Sequence, residues 1–372
     1  MKILYLSTSY IPYRRADSVH VMHMCQALAM KGHDVCLVYK DSPRFSENVT
    51  DPFFFYGVKN NFLLKGVRRP PFKGGGLLYS WGMNRVINQR KNETDLVFSR
   101  DISGALYAIK YGLPLIYETH VIPDSSGQLE SLKKILGYAK LISVVILTEG
   151  LLKDFKKVFG QVLNDQKLIV AHDAFTIDNT PPDFRPITKK RIAIGYAGNL
   201  YAGKGLEVIG RLAKLLPQYD FNIAGGEQKD IQYWKNKFSF KNLKFLGFMP
   251  PGALTNFYQA QDILLLPPQK TSLGLSGNNI ASWMSPMKLF EYMNVGRPII
   301  ASSLDVLKEV LTHNENALLA DPDDIEEWAK AINLLINDDE LTLNLSKKAY
   351  RSLVEKYTWN KRVEHIFNES QL

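Results

Sequence analysis

The chain has 372 residues, 45% of them hydrophobic and 22% charged, a balance that excludes a disordered protein and suits two globular domains rather than one. Its net charge of +9 is unevenly spread, since residues 1–185 hold 24 Lys and Arg against 17 Asp and Glu. No apolar run approaches the roughly 18 residues of a membrane span, and MKILYLSTSY lacks the length and cleavage site of a signal peptide; a cytoplasmic location is the expectation.

That opening segment reads as a strand, followed by VHVMHMCQALAMKG, whose Val19, Met22, Met24, Ala27 and Leu28 recur near helical spacing, and by the strand DVCLVYK. Cys25 and Cys36 fall on this helix and strand without metal or disulfide spacing, and read as core residues. His20 and His23 have a spacing compatible with a metal, but no further ligand set is evident and packing is the expected role. From Lys59 to Arg100 there are nine basic residues and two acids, interleaved with apolar groups as in FFFYGVKNNFLLKGVRRPPFKGGG, which begins just upstream. Two readings stand for this stretch. It settles on an anionic membrane surface, each basic group contributing about 1 kcal/mol, or it is a solvated loop whose aromatics belong to a buried strand. No nucleic-acid motif accompanies the charge, and nucleic acid is not an expected partner.

Further buried-strand candidates are DLVFSR, PLIYET, LISVVILT and KLIVAHDA, spaced for intervening helices. The polar TIDNTPPDFRPITKK, with Pro181, Pro182 and Pro186, reads as a linker. The alternation then resumes with RIAIGYAG, DFNIAGG, LKFLGF, DILLLPP, RPIIAS and ALLAD. The expected fold is therefore α/β, with doubly wound parallel domains over residues 1–178 and 179–357.

In such sheets ligands collect beyond the carboxyl ends of the strands. One such loop is GYAGNLYAGKGLE, residues 195–207, which nearly spells a nucleotide-hydrolase phosphate loop. Gly205 stands where a hydroxyl should hold magnesium, which counts against that assignment. Gly198, Gly203 and Gly205 allow close backbone approach, a helix beginning near Lys204 directs amides at an anion, and Lys204 adds a charged hydrogen bond of about 1.5–3 kcal/mol. Taken alone, the loop reads equally well as a glycine-rich turn with an exposed lysine. In SPMKLFEYMNVGRPIIAS, residues 285–302, Ser285 suits a helix cap and Pro286 the first turn. Glu291 lies one turn beyond Met287 and Lys288, where its carboxylate can bind neighbouring hydroxyls; otherwise it is a solvated helix residue. A ribose diol beside a diphosphate presents the matching chemistry. Asp323, Asp324, Glu326 and Glu327 open the helix DIEEWAKAINLLIN, where acids favour the dipole.

Together with ADSVHVMHMCQALAMKGHDVCLV, YETH, HDAF, FNIAGG and FLGFMPPGALTNFYQAQDILLLP, these motifs resemble, nearly end to end, the retaining glycosyltransferases that include bacterial mannosyl- and glucosyltransferases. The resemblance implies a GT-B architecture: two Rossmann-like domains facing each other across a cleft, acceptor-binding and donor-binding in that order, with a helix over 358–372 packing back on the first domain. It implies that Lys204 contacts the donor diphosphate beside Gly198, Asn199 and Gly203, and that Glu291 binds the ribose. Phe248 and Met249 meet the base, Ser285, Met287 and Lys288 complete the donor side, and His120 of YETH acts with Lys204 at the transferred sugar. Arg14 and Arg15 fall on the acceptor or phosphate side.

Three positions depart from the family pattern. Asn199 stands where members often carry an arginine, Trp283 where they often carry a second glutamate, and STSYIPYRRADS lacks paired glycines. The implied activity is metal-independent, cofactor-free hexosyl transfer with retained configuration. Its partners are a nucleotide-sugar donor and a glycan or lipid-linked acceptor, in cell-surface glycan or glycolipid synthesis at the inner face of the membrane. The competing readings are a sugar-nucleotide epimerase of the same architecture and a nucleotide-binding protein without transferase activity.

Overall fold

The computed structural model describes residues 1–42, 49–70, 72–163, 168–177, 180–188, 190–249, 251–271, 279 and 281–372. Two units emerge: Met1–Asp173 with Trp359–Leu372, and Ala174–Thr358. The boundary expected between residues 178 and 179 falls outside the described residues.

The first unit begins with β1 (Lys2–Tyr10), α1 (Ala16–Met30), β2 (Asp34–Asp41), α2 (Pro52–Tyr56), β3 (Leu63–Arg68), α3 (Gly75–Arg90) and β4 (Leu96–Ser99). It continues through α4 (Ile102–Lys110), β5 (Leu115–Thr119), α5 (Ser126–Leu136), β6 (Leu141–Ile146), α6 (Glu149–Phe159) and β7 (Leu168–Val170). The seven strands pair in parallel in the order β3-β2-β1-β4-β5-β6-β7. Strand order reverses between β1 and β4, which makes that edge the switch point where a doubly wound sheet accepts ligands. The phenylalanine run read as a possible strand is helical instead. Pro52 takes the first helical turn and the Asp51 carboxylate accepts from Phe53 N at 2.9 Å, a cap that starts α2.

The second unit holds β8 (Ala193–Ala197), α7 (Leu206–Leu215), β9 (Asp220–Ala224), α8 (Gln228–Lys237), β10 (Leu243–Gly247), α9 (Pro251–Ala260) and β11 (Ile263–Leu266). Then come α10 (Met287–Asn294), β12 (Ile299–Ser302), α11 (Asp305–Lys308), β13 (Leu318–Ala320), α12 (Ile325–Asn337) and α13 (Asp339–Lys356). Its sheet is parallel in the order β10-β9-β8-β11-β12-β13 and reverses between β8 and β11. Period-two alternation sorts the side chains onto two buried faces. Ile263 and Leu265 join Leu212 of α7 and Trp328 of α12, whereas Leu264 and Leu266 join Phe290 and Tyr292 of α10. Each such side chain contributes about 1.5–3 kcal/mol on burial, which is why these strands read as unbroken apolar runs.

The last helix, α14 (Trp359–Ser370), lies in the first unit. It buries Trp359, Val363 and Ile366, and the Trp359 ring packs 5.0 Å from His20 and 5.8 Å from His23. No helix among the described residues is long and apolar enough to cross a membrane.

Candidate functional site

In the second unit the two motif loops leave the carboxyl ends of β8 and β11, the strands that flank the switch point. They are packed together: Gln269 N donates to Gly203 O at 3.0 Å, and Tyr292 Oη accepts from Ala197 N at 2.9 Å. Gly205 is the N-cap of α7, with φ of +92°, and a Cβ there would meet the Pro267 carbonyl oxygen at 2.0 Å. Position 205 therefore cannot hold a serine or threonine in this geometry, and the loop is a distinct device rather than a damaged hydrolase loop. The helix starts at Leu206, leaving Lys204 in the turn before it and not within the helix, because the left-handed Gly205 interrupts helical geometry. Lys204 forms no ion pair among the described residues; its ammonium lies 5.0 Å from the centre of the Tyr201 ring. Asn199 offers its carbonyl to Tyr196 Oη at 2.9 Å, and a Cβ on Gly225 would meet the Gly198 carbonyl at 2.2 Å.

Helix α10 begins at Met287, and Pro286 rather than Ser285 occupies its cap position. Pro286 has an extended ψ of 112°, so it stands outside the helix, and the start carries no side-chain cap. Glu291 is gripped from two sides: Tyr258 Oη donates to Oε2 at 2.5 Å, and Lys288 Nζ lies 3.0 Å from each oxygen. Tyr258 was not legible in the motif, because it comes from α9. Burial first, and then the Glu291 carboxylate, pushes the Tyr258 hydroxyl well above its ordinary range. Phe248 is exposed just after β10, whereas Met249 packs on the core.

The first unit gathers a denser set of charges at its carboxyl edge. Glu118, the penultimate residue of β5, is fully buried, and four groups converge on its Oε1. His120 Nε2 lies at 2.6 Å, Arg362 Nη2 of α14 at 3.0 Å, His20 Nε2 of α1 at 3.0 Å and Arg100 Nε at 3.9 Å. His20 Nδ1 meets Asp173 at 2.7 Å, and Arg362 also donates to the carbonyls of Ala171 and His172 at 3.1 and 2.8 Å. Burial alone would raise the Glu118 carboxyl; Arg362, then His20 and His120, hold it well below the usual carboxylate range.

For His120, burial and then Arg100 lower the imidazole to about 4 against the pull of Glu118. Arg100 Nη2 donates to His120 Nδ1 at 2.9 Å, so the neutral ring carries its proton on Nε2 toward Glu118. Both ring nitrogens are thus engaged. His20, Glu118 and His120 do present ligand atoms within 4.8 Å of one another, a set that the spacing of His20 and His23 did not reveal. Two guanidinium groups already face that carboxylate, which opposes a further cation. Arg14 and Arg15 are exposed at the start of α1, with Arg15 paired to Asp17 at 3.1 Å.

The basic stretch is neither a loop nor a wholly buried strand, since residues 59–100 contribute β3, α3 and β4. Helix α3 buries Tyr79, Met83, Val86 and Ile87, while Leu77 is 78% exposed and Trp81 62% exposed, with Arg85 one turn further along.

Comparison with known proteins supplies a context for these sites. A family model described as glycosyl transferases group 1 matches residues 180–352. An uncharacterized glycosyltransferase of Haemophilus influenzae is 23% identical over 354 residues, covering 92% of both chains. Sucrose-phosphate synthase from Thermosynechococcus elongatus superposes with a TM-score of 0.74 at 14% identity, over 100% of this chain and 98% of that one. HepE from Anabaena, in complex with UDP-glucose, superposes with a TM-score of 0.70 at 16% identity over 100% of each chain. At such identities the structural likeness speaks for the fold, which is the two-domain, Rossmann-like GT-B fold.

Proposed function

We propose, from the match of residues 180–352 to the model of group 1 glycosyl transferases, that this chain moves a sugar from a nucleotide-sugar to an acceptor hydroxyl with retained anomeric configuration. The observation that carries the reading is the pairing, at the second sheet's switch point, of the Lys204 loop after β8 with the Glu291 helix after β11. The existence of a UDP-glucose complex of HepE supports a nucleotide-sugar as donor.

In this reading the donor diphosphate lies between Lys204 and the starts of α7 and α10, neither of which has a side-chain cap. Negative charge grows on the diphosphate as the glycosidic bond lengthens, so a fixed ammonium and oriented amides favour the transition state over the ground state. Glu291, oriented by Tyr258 and Lys288, binds the ribose hydroxyls, and Gly198, Asn199 and Gly203 provide backbone close to the phosphates. Phe248 and Met249 border the base. Ser285 and Met287 flank the diphosphate end of α10. The Gly205 geometry leaves no hydroxyl ligand for magnesium, and Lys204 takes over the charge compensation. His120, assigned to the transferred sugar in this reading, has both ring nitrogens held, so the acceptor proton passes to a leaving phosphate oxygen. The exposed Leu77 and Trp81 of α3, with the surrounding lysines and arginines, rest on an anionic leaflet, which suits a cytoplasmic, membrane-peripheral enzyme of glycan or glycolipid synthesis.

A panel of nucleotide-sugars tested by thermal shift decides the core of this reading. Ligand at a hundredfold over Kd stabilises by about 2.7 kcal/mol, and absence of any nucleotide response overturns it. Product analysis then separates acceptor-dependent transfer from epimerisation, which releases product without an acceptor. Turnover is expected to survive chelation of divalent ions. Co-sedimentation with vesicles containing phosphatidylglycerol, but not phosphatidylcholine alone, tests the α3 face.

A further inference from the structure

A second set of cations occupies the carboxyl edge of the first sheet, away from Glu118. Tyr10 ends β1, and in the parallel register it sits opposite Lys40 of β2. Arg69 directly follows β3, held by its amide on the Asp41 carbonyl at 2.8 Å. Both cations reach the same ring. Lys40 Nζ lies 5.8 Å from the Tyr10 centroid and 5.1 Å from that of Tyr79, while Arg69 Nη1 donates to Tyr10 Oη at 3.1 Å.

Lys40 and Arg69 are half-buried, and neither has a carboxylate within ion-pair distance among the described residues. Of the nearby acids, Asp17 pairs with Arg15 at 3.1 Å, and Asp101 gives one oxygen to the cap of α4, accepting from Ser103 N at 3.0 Å, while neither of its oxygens comes within ion-pair distance of Lys40. Burial lowers the Lys40 ammonium, Asp101 opposes that, and Arg69 adds to it. The arrangement contrasts with Arg362, whose charge is matched by Glu118 at 3.0 Å. Cations concentrated on an aromatic wall, partly dehydrated and unmatched, at the edge where such sheets take ligands, leave room for one kind of partner: an anion that arrives with the ligand.

We propose that Lys40 and Arg69, around Tyr10, bind a phosphate or diphosphate carried by the acceptor. The inference rests on the sugar-transfer reading for the word acceptor, but the anion site stands on its own geometry. Phosphate oxygens accept charge-assisted hydrogen bonds from the two side chains that share Tyr10. No bond is made or broken at this site; it positions the acceptor.

The test uses inorganic pyrophosphate as the probe, titrated calorimetrically into the full chain carrying Lys204→Ala, so that the donor loop contributes less. Adding Lys40→Met and Arg69→Met is expected to weaken binding about tenfold or more, while raising the ligand-free thermal midpoint, because an unmatched, partly buried charge is removed. Equal affinity with and without the two substitutions overturns the proposal, as does a lowered midpoint with unchanged affinity, the behaviour of a purely structural cation pair. Should the double replacement not fold, Arg69→Gln alone carries the same comparison.

Transfer assays with Lys204 intact then separate the sources of the phosphate. Hexose phosphates in solution form one arm, a prenyl-diphosphate-linked sugar in vesicles the other, and neutral hexoses the control. A rise in acceptor KM confined to one phosphorylated arm identifies the source, whereas efficient use of neutral hexoses, insensitive to Lys40 and Arg69, refutes the site. Nucleotide stabilisation measured on the same samples keeps the two readings apart. Its absence removes sugar transfer while the pyrophosphate difference persists; its presence beside an unchanged pyrophosphate affinity removes only this site.

Discussion

At the carboxyl edge of the first sheet, Glu118 Oε1 lies 3.0 Å from Arg362 and 2.6 Å from His120, a buried network saturated with its own partners. At the corresponding edge of the second sheet, Lys204 rests on a tyrosine ring without a carboxylate partner among the described residues, and two helices start without side-chain caps. The same architecture thus uses charge in two ways. In the first unit ions fasten elements that are distant in sequence, from α1 to α14. Around Lys204 the charge faces an aromatic ring instead of a carboxylate among the described residues. The lesson is that burial and pairing, rather than charge alone, separate an ion that holds structure from one that waits for a partner.

The largest expected effect comes from breaking the saturated network. Glu118→Ala strands Arg362 and His20 without their shared carboxylate, and chemical denaturation should show a loss of about 3–5 kcal/mol; a loss under 1 kcal/mol contradicts a network of this kind. On the other edge, Lys204→Ala is expected to lower kcat by about 10²–10³-fold with little change in melting temperature, as steady-state kinetics and calorimetry can check. Equal losses of stability at the two positions would erase the contrast between them.

Acid provides a milder probe. Burial holds His23, His120 and His172 to about 4 in the folded chain, below the roughly 6.5 of an unfolded histidine. Between those values the unfolded chain binds the extra protons, so stability falls as pH drops from about 6.5 toward 4, by up to about 1.4 kcal/mol per pH unit for each histidine. All three belong to the first unit, and acid titration followed by hydrogen exchange should therefore open that unit first. The smallest effect is expected at Tyr258→Phe, which removes one hydrogen bond to Glu291 and should weaken donor binding about two- to tenfold, read from nucleotide titration, with the first unit unaffected.

Much of the fold was legible because both sheets are covered on two faces, which makes each strand a continuous apolar run. The Lys204 turn and the Glu291 helix were legible for a different reason: each lies within one short stretch, so spacing within that stretch suffices to place it after a strand. The Glu118 network was not. YETH showed the glutamate beside His120, but Arg362 lies 244 positions further along the chain, and no local pattern marks an arginine in a terminal helix as its partner. Lys40 and Arg69 were hidden similarly, since only the β2–β3 register and the end of β1 bring them to Tyr10. Ser285 and Lys204 show the finer limit. Composition suited them to helix starts, and the backbone of Pro286 and Gly205 moved those starts by one or two residues.

What the amino-acid order determined by itself was the alternation of elements and the family pattern of the second half, because each depends on neighbours within a few residues. What only the tertiary structure decided was which charges are matched. Pairing depends on distance and burial between segments that meet only after strand order, register and the return of the last helix are fixed, and that is why Glu118 is matched by Arg362 while Lys204 has no carboxylate partner among the described residues.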